Sequence, residues 1–269
     1  MRWMRQARAT TTRGDLRLTT KLPRVTLLFW IMKIAAVTLG ETGGDLLAQT
    51  LNIGYLISSV LFVGLFVVSV VTQLRARRFH PALYWTVIVS TSTAGTTMSD
   101  FMNRSVGLGY ARGALILVTC LAAIFALWGL SGQTFSVAHI GSLRGEMLYW
   151  CAILLSNTLG TSLGDFLADS SRLGFGGSAL LISGAMALVL AAYRWTRISS
   201  TFLFWTAFVL TRPWGATVGD LLTKPHTKGG LDLGTTGSSA TLTATLLLLI
   251  GYTLLTQRRQ ARLDPVPVR

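Results

Sequence analysis

Charge is scarce in this chain. Only 13% of its 269 residues are Asp, Glu, Lys or Arg, and just 10 are acidic. A water-soluble domain carries about 25% charged residues, so this sequence cannot coat itself with a hydrated surface. Histidine is nearly absent as well: His80, His139 and His226 have no metal-ligand spacing, and the first two read as solvated loop residues, with His226 near a mouth. The two cysteines, Cys120 and Cys151, read as small buried apolar residues. No ATP-binding segment is present. The N-terminus is too rich in Arg and Thr for a signal peptide and has no apolar core with a small-residue cleavage site behind it.

What the chain does have is apolar length. Its hydrophobic fraction is 51% and its mean hydropathy +0.55. A bilayer crossing needs about 20 mostly apolar residues, and eight runs qualify: 25–47, 55–74, 83–102, 113–130, 147–168, 175–193, 199–222 and 237–256. They consume nearly the whole sequence. The expected fold is an all-α polytopic membrane protein with eight transmembrane helices. Residues 1–24 form a basic tail, 25–130 a first membrane half, 131–145 a connection, 146–256 a second half and 257–269 a second tail.

The net charge of +14 is topology and lipid contact, not a nucleic-acid footprint. Seventeen Lys and Arg lie before span 1, in the even-to-odd connections and after span 8. Only Arg104, Arg112, Arg172, Lys224 and Lys228 lie on the other side. The positive-inside rule then puts both termini in the cytoplasm and the protein in a bacterial inner membrane.

One pattern recurs four times. An aromatic-Trp pair precedes a Gly-Asp or Ser-Asp pair, with fifteen residues from Trp to Asp: Phe29-Trp30 with Asp45, Tyr84-Trp85 with Asp100, Tyr149-Trp150 with Asp165, Phe204-Trp205 with Asp220. Each Asp has a Gly five positions before it (Gly40, Gly95, Gly160, Gly215) and a Thr or Ser three before. Fixed offsets through four copies mean internal duplication. The unit is a helix pair, so all four copies share one orientation, parallel repeats about an axis along the membrane normal. A Gly-aromatic pair follows the first three Asp residues, at Gly54-Tyr55, Gly109-Tyr110 and Gly174-Phe175. It marks the external turn. The fourth repeat has instead a longer basic loop from Lys224 to Gly230, a candidate mouth or lid.

The Trp residues are expected to anchor the odd helices at the cytoplasmic interface. Positions −8, −7, −4, −3 and 0 relative to Asp share a helical face. That face carries Thr38, Glu41, Thr42, Thr93, Thr96, Thr97, Asn157, Thr158, Thr161, Ser162 and Thr217 beside the four Asp residues. Below it the sequence turns apolar at Ile34, Val89, Leu154 and Val209. Carboxylates and hydroxyls are the oxygen set that hard cations select, and the Gly residues at −5 and −1 would let the helices unwind to add backbone carbonyls. Small residues also serve close helix packing, and that reading stays open for the Thr, Ser and Gly positions. Two cations fall in odd helices. Lys33 and Arg212 are expected either to pair with a carboxylate of a neighbouring repeat or to compete with a transported cation, Arg212 holding Asp220 when the site is empty.

The segment Lys33-Ile34 through Thr38-Leu39-Gly40-Glu41-Thr42-Gly43-Gly44-Asp45, with Asn52-Ile53-Gly54-Tyr55, resembles a family of bacterial multi-pass proteins described as uncharacterised membrane-anchored proteins. The resemblance extends through the later Gly-Asp copies and covers essentially all spans. It implies a membrane protein and no particular activity.

The residues themselves point to a secondary transporter of a small inorganic cation. Asp45, Asp100, Asp165, Asp220 and Glu41 are the ligands, and a divalent metal is the leading substrate. Four carboxylates at membrane depth are costly, and they cannot all carry charge there without a cation, so proton exchange is a natural coupling. No cofactor is expected; the partners are lipid and the ion. An acidic-ring channel and a non-transporting structural or sensor protein remain as alternatives. Gly-Asp pairs in membrane helices also occur in intramembrane aspartyl proteases, but four near-equivalent sites do not make a two-carboxylate dyad. No enzyme is expected.

Overall fold

The computed structural model describes residues 25–76, 79–132, 135 and 142–263. The basic N-terminal tail, His139, most of the central connection and residues 264–269 lie outside them. The described residues contain eight long helices: α1 (Leu27–Asp45), α2 (Tyr55–Arg75), α3 (Pro81–Asp100), α4 (Tyr110–Leu130), α5 (Leu143–Asp165), α6 (Gly174–Trp195), α7 (Ser200–Thr223) and α8 (Thr235–Leu263). Their starts follow ordinary capping chemistry. The Thr26 hydroxyl accepts from the Phe29 amide, Ser142 accepts from Gly145, and Pro81 opens α3, where a missing N–H costs nothing.

Six of the eight helices are long and apolar enough to cross a membrane; α3 and α7 are not among them. The difference from the expected eight lies in polarity, not length. The middle of α3 is almost entirely Ser and Thr, and α7 contains Arg212, Pro213 and Asp220. Those polar side chains are buried.

The odd helices form a closed ring in which α1 packs on α3, α3 on α5, α5 on α7, and α7 back on α1. The even helices are peripheral. Each packs chiefly on the inner helix of the next repeat around the ring: α2 on α3, α4 on α5, α6 on α7, and α8 on α1. The peripheral helices turn leucine and valine outward along their length, for example Val60, Leu115, Leu180 and Leu248. Cys120 and Cys151 are exposed, not buried as expected.

Three inner helices continue past their Asp into a single π-turn, Leu46–Thr50, Phe101–Ser105 and Phe166–Ser170. The following amide closes each turn on a carbonyl five residues back, as in Leu51 to Leu46 at 2.9 Å. A glycine in the left-handed region, Gly54, Gly109 or Gly174, then reverses the chain, a conformation side chains rarely adopt. The fourth repeat has no π-turn. Its loop folds back on α7, with the amides of Leu231, Leu233 and Asp232 donating to Leu221, Leu222 and Lys224. Gly230 lies so close to the Lys224 carbonyl that a Cβ there would overlap it.

Candidate functional site

The ring interior is built in layers, because in all four repeats every fourth residue counted back from Asp is buried: positions 0, −4, −8, −12 and −16. At −16 lie Phe29, Tyr84, Tyr149 and Phe204. Each faces the Trp of the next repeat, with centroids 5.8 Å apart for Phe29–Trp85 and Tyr84–Trp150, 5.9 Å for Tyr149–Trp205 and 5.7 Å for Phe204–Trp30. The Tyr84 and Tyr149 hydroxyls are 2.9 Å apart. This layer corrects the expectation of interfacial Trp anchors. Trp85, Trp150 and Trp205 are buried and close one end of the ring, because each indole packs edge-on against its own neighbour in sequence and also meets an aromatic ring of the preceding repeat.

At −12 the layer is Lys33, Ile88, Ile153 and Phe208, all fully enclosed. Among the described residues the Lys33 side-chain nitrogen has no hydrogen-bond partner, and it lies 4.0 Å over the Phe208 ring. It therefore does not pair with a carboxylate of a neighbouring repeat.

The glycines hold the ring together. Each Gly at −5 abuts the −8 residue of the next repeat: Gly40 meets Ser92, Gly95 meets Asn157, Gly160 meets Arg212, and Gly215 meets Val37. A Cβ on Gly95 would come 2.8 Å from the Asn157 carbonyl carbon, closer than atoms pack. Gly44, Gly164 and Gly219 at −1 make similar approaches to Thr96, Ala216 and Glu41. This is small-xxx-small packing. The helices stay α-helical through these glycines, so the expected unwinding does not occur.

At −8 and −4 one side chain dominates. Arg212 is wholly buried and reaches all three other inner helices. One terminal nitrogen lies 3.1 Å from Glu41 Oε2 and 3.4 Å from the Val37 carbonyl of α1. The other donates to the Ser92 carbonyl (3.1 Å) and Thr96 hydroxyl of α3 and to Thr161 of α5 (2.8 Å). Thr96 and Thr161 donate to Glu41 Oε2 at 3.1 and 3.3 Å. Arg212 thus pairs with a carboxylate of a neighbouring repeat, one of the two expectations, and that carboxylate is Glu41, not the Asp220 of its own helix. A buried pair survives desolvation only where further hydrogen bonds support it, and here α1, α3 and α5 supply them to the two terminal nitrogens.

The four Asp residues are all buried, but they are arranged as two clamped pairs. Lys224 Nζ lies 2.5 Å from Asp45 and 3.3 Å from Asp220. Arg104 lies 3.0 Å from Asp100 and 3.8 Å from Asp165. Each cation stands four residues after its own Asp and bridges to the Asp of the next inner helix. Gln49, at the same offset in repeat 1, donates to Asp45 at 2.5 Å and accepts from Lys224 at 3.3 Å. Burial works against the charge on Lys224, but Asp220 and Asp45 outweigh it and raise its pKa. One carboxylate oxygen from each of Glu41, Asp45 and Asp220 falls within 4.8 Å of the others. Among the described residues no other three acidic, histidine or cysteine side chains come together in this way. Asp100 and Asp165 stand apart from this trio, around Arg104.

Of the expected supporting residues, Thr96 and Thr161 face the centre. Ser162 bonds Ser99 (2.8 Å) and Asn103 (2.8 Å). Thr42, Thr93, Thr97, Thr158 and Thr217 instead donate to carbonyls three or four residues back in their own helices. Thr42 also accepts from Ser239 of α8, and Asn157 reaches Thr91 at 3.5 Å. Thr38 is buried. Sequence reasoning missed Lys224, Arg104 and Gln49. The signal was present: Arg104 and Lys224 are separated by the same interval as Asp100 and Asp220.

The model of one family, the Repeat of Unknown Function (DUF347), matches residues 28–79, 83–134, 148–199 and 203–259. Each matched segment contains most of one inner helix and most or all of the peripheral helix that follows it. No curated protein and no solved structure matches the chain.

Proposed function

We propose, for a chain that belongs to the DUF347 repeat family, the role of a multi-pass carrier of a small inorganic cation in the bacterial inner membrane. In this reading the four helix pairs are parallel repeats about the membrane normal, both termini are cytoplasmic, and the outward leucines of the peripheral helices contact lipid. One observation carries the proposal: Glu41, Asp45 and Asp220 place three carboxylates within 4.8 Å of one another in a buried ring. Such oxygen sets suit hard divalent cations, and a purely structural hydrogen bond would be met at lower desolvation cost by Asn or Ser. Asp100 and Asp165, held by Arg104, are the counterpart in the other half.

A carrier is favoured over a channel because the ring is closed twice. Arg212 fills the −8 and −4 levels, and the cyclic aromatic layer fills the level of the Trp residues. A structural role is the second reading, since each Asp pair already has an internal cation. Thermal denaturation of purified protein with Mg2+, Mn2+ and Ca2+ separates the two. The carrier requires a divalent-dependent rise in melting temperature that Asp45→Asn and Asp220→Asn abolish. Identical melting with and without every ion supports the structural role.

A further inference from the structure

The Lys224 ammonium is surrounded by three oxygens from two inner helices: Asp45 Oδ2 at 2.5 Å, Gln49 Oε1 at 3.3 Å and Asp220 Oδ1 at 3.3 Å. Two of those carboxylates belong to the trio that gathers around the candidate metal position. A free cation and this side chain therefore draw on the same acceptors. They cannot both have them.

The surroundings make the side chain the movable part. Lys224 is the first residue beyond α7, and its side chain is 15% exposed, so it enters the site from the rim. The backbone on either side is fixed. Its own amide donates to the Asp220 carbonyl at 2.8 Å, and its carbonyl accepts from Asp232 at 3.0 Å. A lysine carries a compact charge on a flexible four-carbon stem, and swinging that stem outward vacates the oxygens without disturbing the ring.

The equivalent cation of the other half is held differently. Arg104 spreads its planar guanidinium between Asp100 and Asp165 and lies 5.7 Å from the Tyr110 ring centroid. Its mate across the pseudo-symmetry has no such ring contact among the described residues. The two halves share a plan but differ in the side chain that bridges each pair and in the contacts that hold it.

We propose that the Lys224 ammonium is a tethered stand-in for the transported cation, seated between Asp45 and Asp220 when the site is empty and displaced when a cation binds. The inference rests on the carrier reading and makes Lys224 a specificity-determining residue of that site. A cation must outcompete an ammonium already in place, so weakly bound ions are rejected. The seated ammonium also places a positive charge between the two carboxyl groups of the emptied pair.

The test uses the full-length protein and a K224Q variant, with MgCl2, MnCl2, CaCl2 and KCl compared against N-methyl-D-glucamine chloride at constant ionic strength. Melting temperature reports binding. A water-soluble amine-acylating reagent, read by mass spectrometry with exposed Lys228 as internal reference, reports the position of Lys224. The expected result is that the ion stabilising the wild type also raises Lys224 labelling several-fold, over the same concentration range. K224Q should bind that ion about tenfold more tightly, the factor for removing a competitor that fills roughly nine-tenths of the sites. Stabilisation of the wild type with unchanged Lys224 labelling overturns the proposal and leaves the cation site standing, as does equal affinity in K224Q. Failure of every ion to stabilise either protein removes the carrier reading and this inference with it. If K224Q does not fold, the labelling of the wild type decides.

Discussion

Arg212 of the last inner helix and Glu41 of the first are 171 positions apart in sequence and 3.1 Å apart in space. Their contact lies in the middle of the ring, where Thr96 and Thr161 of the two remaining inner helices also converge. One ion pair thus ties all four repeats together at a single level, between the Asp residues and the aromatic layer.

Removing one partner leaves a buried, uncompensated charge, which costs about 3–5 kcal/mol. Arg212→Met and Glu41→Met should each destabilise the protein by that order. The double substitution should cost less than the sum, and a thermal double-mutant cycle measures the coupling. Strict additivity would mean that the pair is not formed.

Arg212→Ala is also expected to change cation affinity without opening a leak, because the aromatic layer still closes the ring below it. Liposome flux assays check this. Voltage-driven currents far above carrier turnover in the wild type would identify a channel.

Lys33 has the opposite character: among the described residues its buried side-chain nitrogen meets neither a hydrogen-bond acceptor nor a carboxylate. Replacing a poorly compensated buried charge by an apolar side chain of similar length stabilises by about 1–3 kcal/mol. Lys33→Met should therefore raise the melting temperature. A fall would reveal a partner that this conformation does not form.

Gly95→Ala should cost about 1–3 kcal/mol, since its Cβ would meet backbone of α5 at 2.8 Å and overpacking forces helices apart. Gly64, on exposed α2, has nothing within 4 Å of an added Cβ, so Gly64→Ala should be neutral or slightly stabilising. Paired melting curves distinguish the two.

The orientation is tested separately. Cysteines at Trp3 and Val266, in a background lacking Cys120 and Cys151, should react with membrane-impermeant maleimide only from the cytoplasmic side. Labelling of either from the periplasm reverses the assignment.

Much of this ring was legible in the sequence. The fixed offsets of Asp45, Asp100, Asp165 and Asp220 gave the repeat, and the polarity of the odd helices set them apart from the apolar even ones. Direction was harder. An ideal 3.6-residue period points position −11 inward, yet Ile34, Val89, Leu154 and Val209 are half-buried while Lys33 and its three equivalents at −12 are fully enclosed. The small residues at −9, −5 and −1 make the burial step by fours, and that packing depends on neighbouring helices. Lys224 and Arg104 were hidden for another reason. Charges just past a span enter a sequence argument as loop charges, and only the ring folds them back onto Asp220 and Asp100.

The closure of α8 onto α1 means that the ring has no intrinsic first repeat. A half of two repeats would leave one inner helix uncovered and one peripheral helix without a seat, and a second copy of that half would supply both. A symmetric dimer of halves could form the same glycine interlock and the same cyclic aromatic layer. It could not form the central ion pair. Glu41 has Thr161 as its equivalent in the other half, and Arg212 has Ser92, whereas two identical halves would bring two guanidiniums or none to one point. The single charged lock is therefore a property that only a fused chain can carry, and fusion is what freed the two halves to differ.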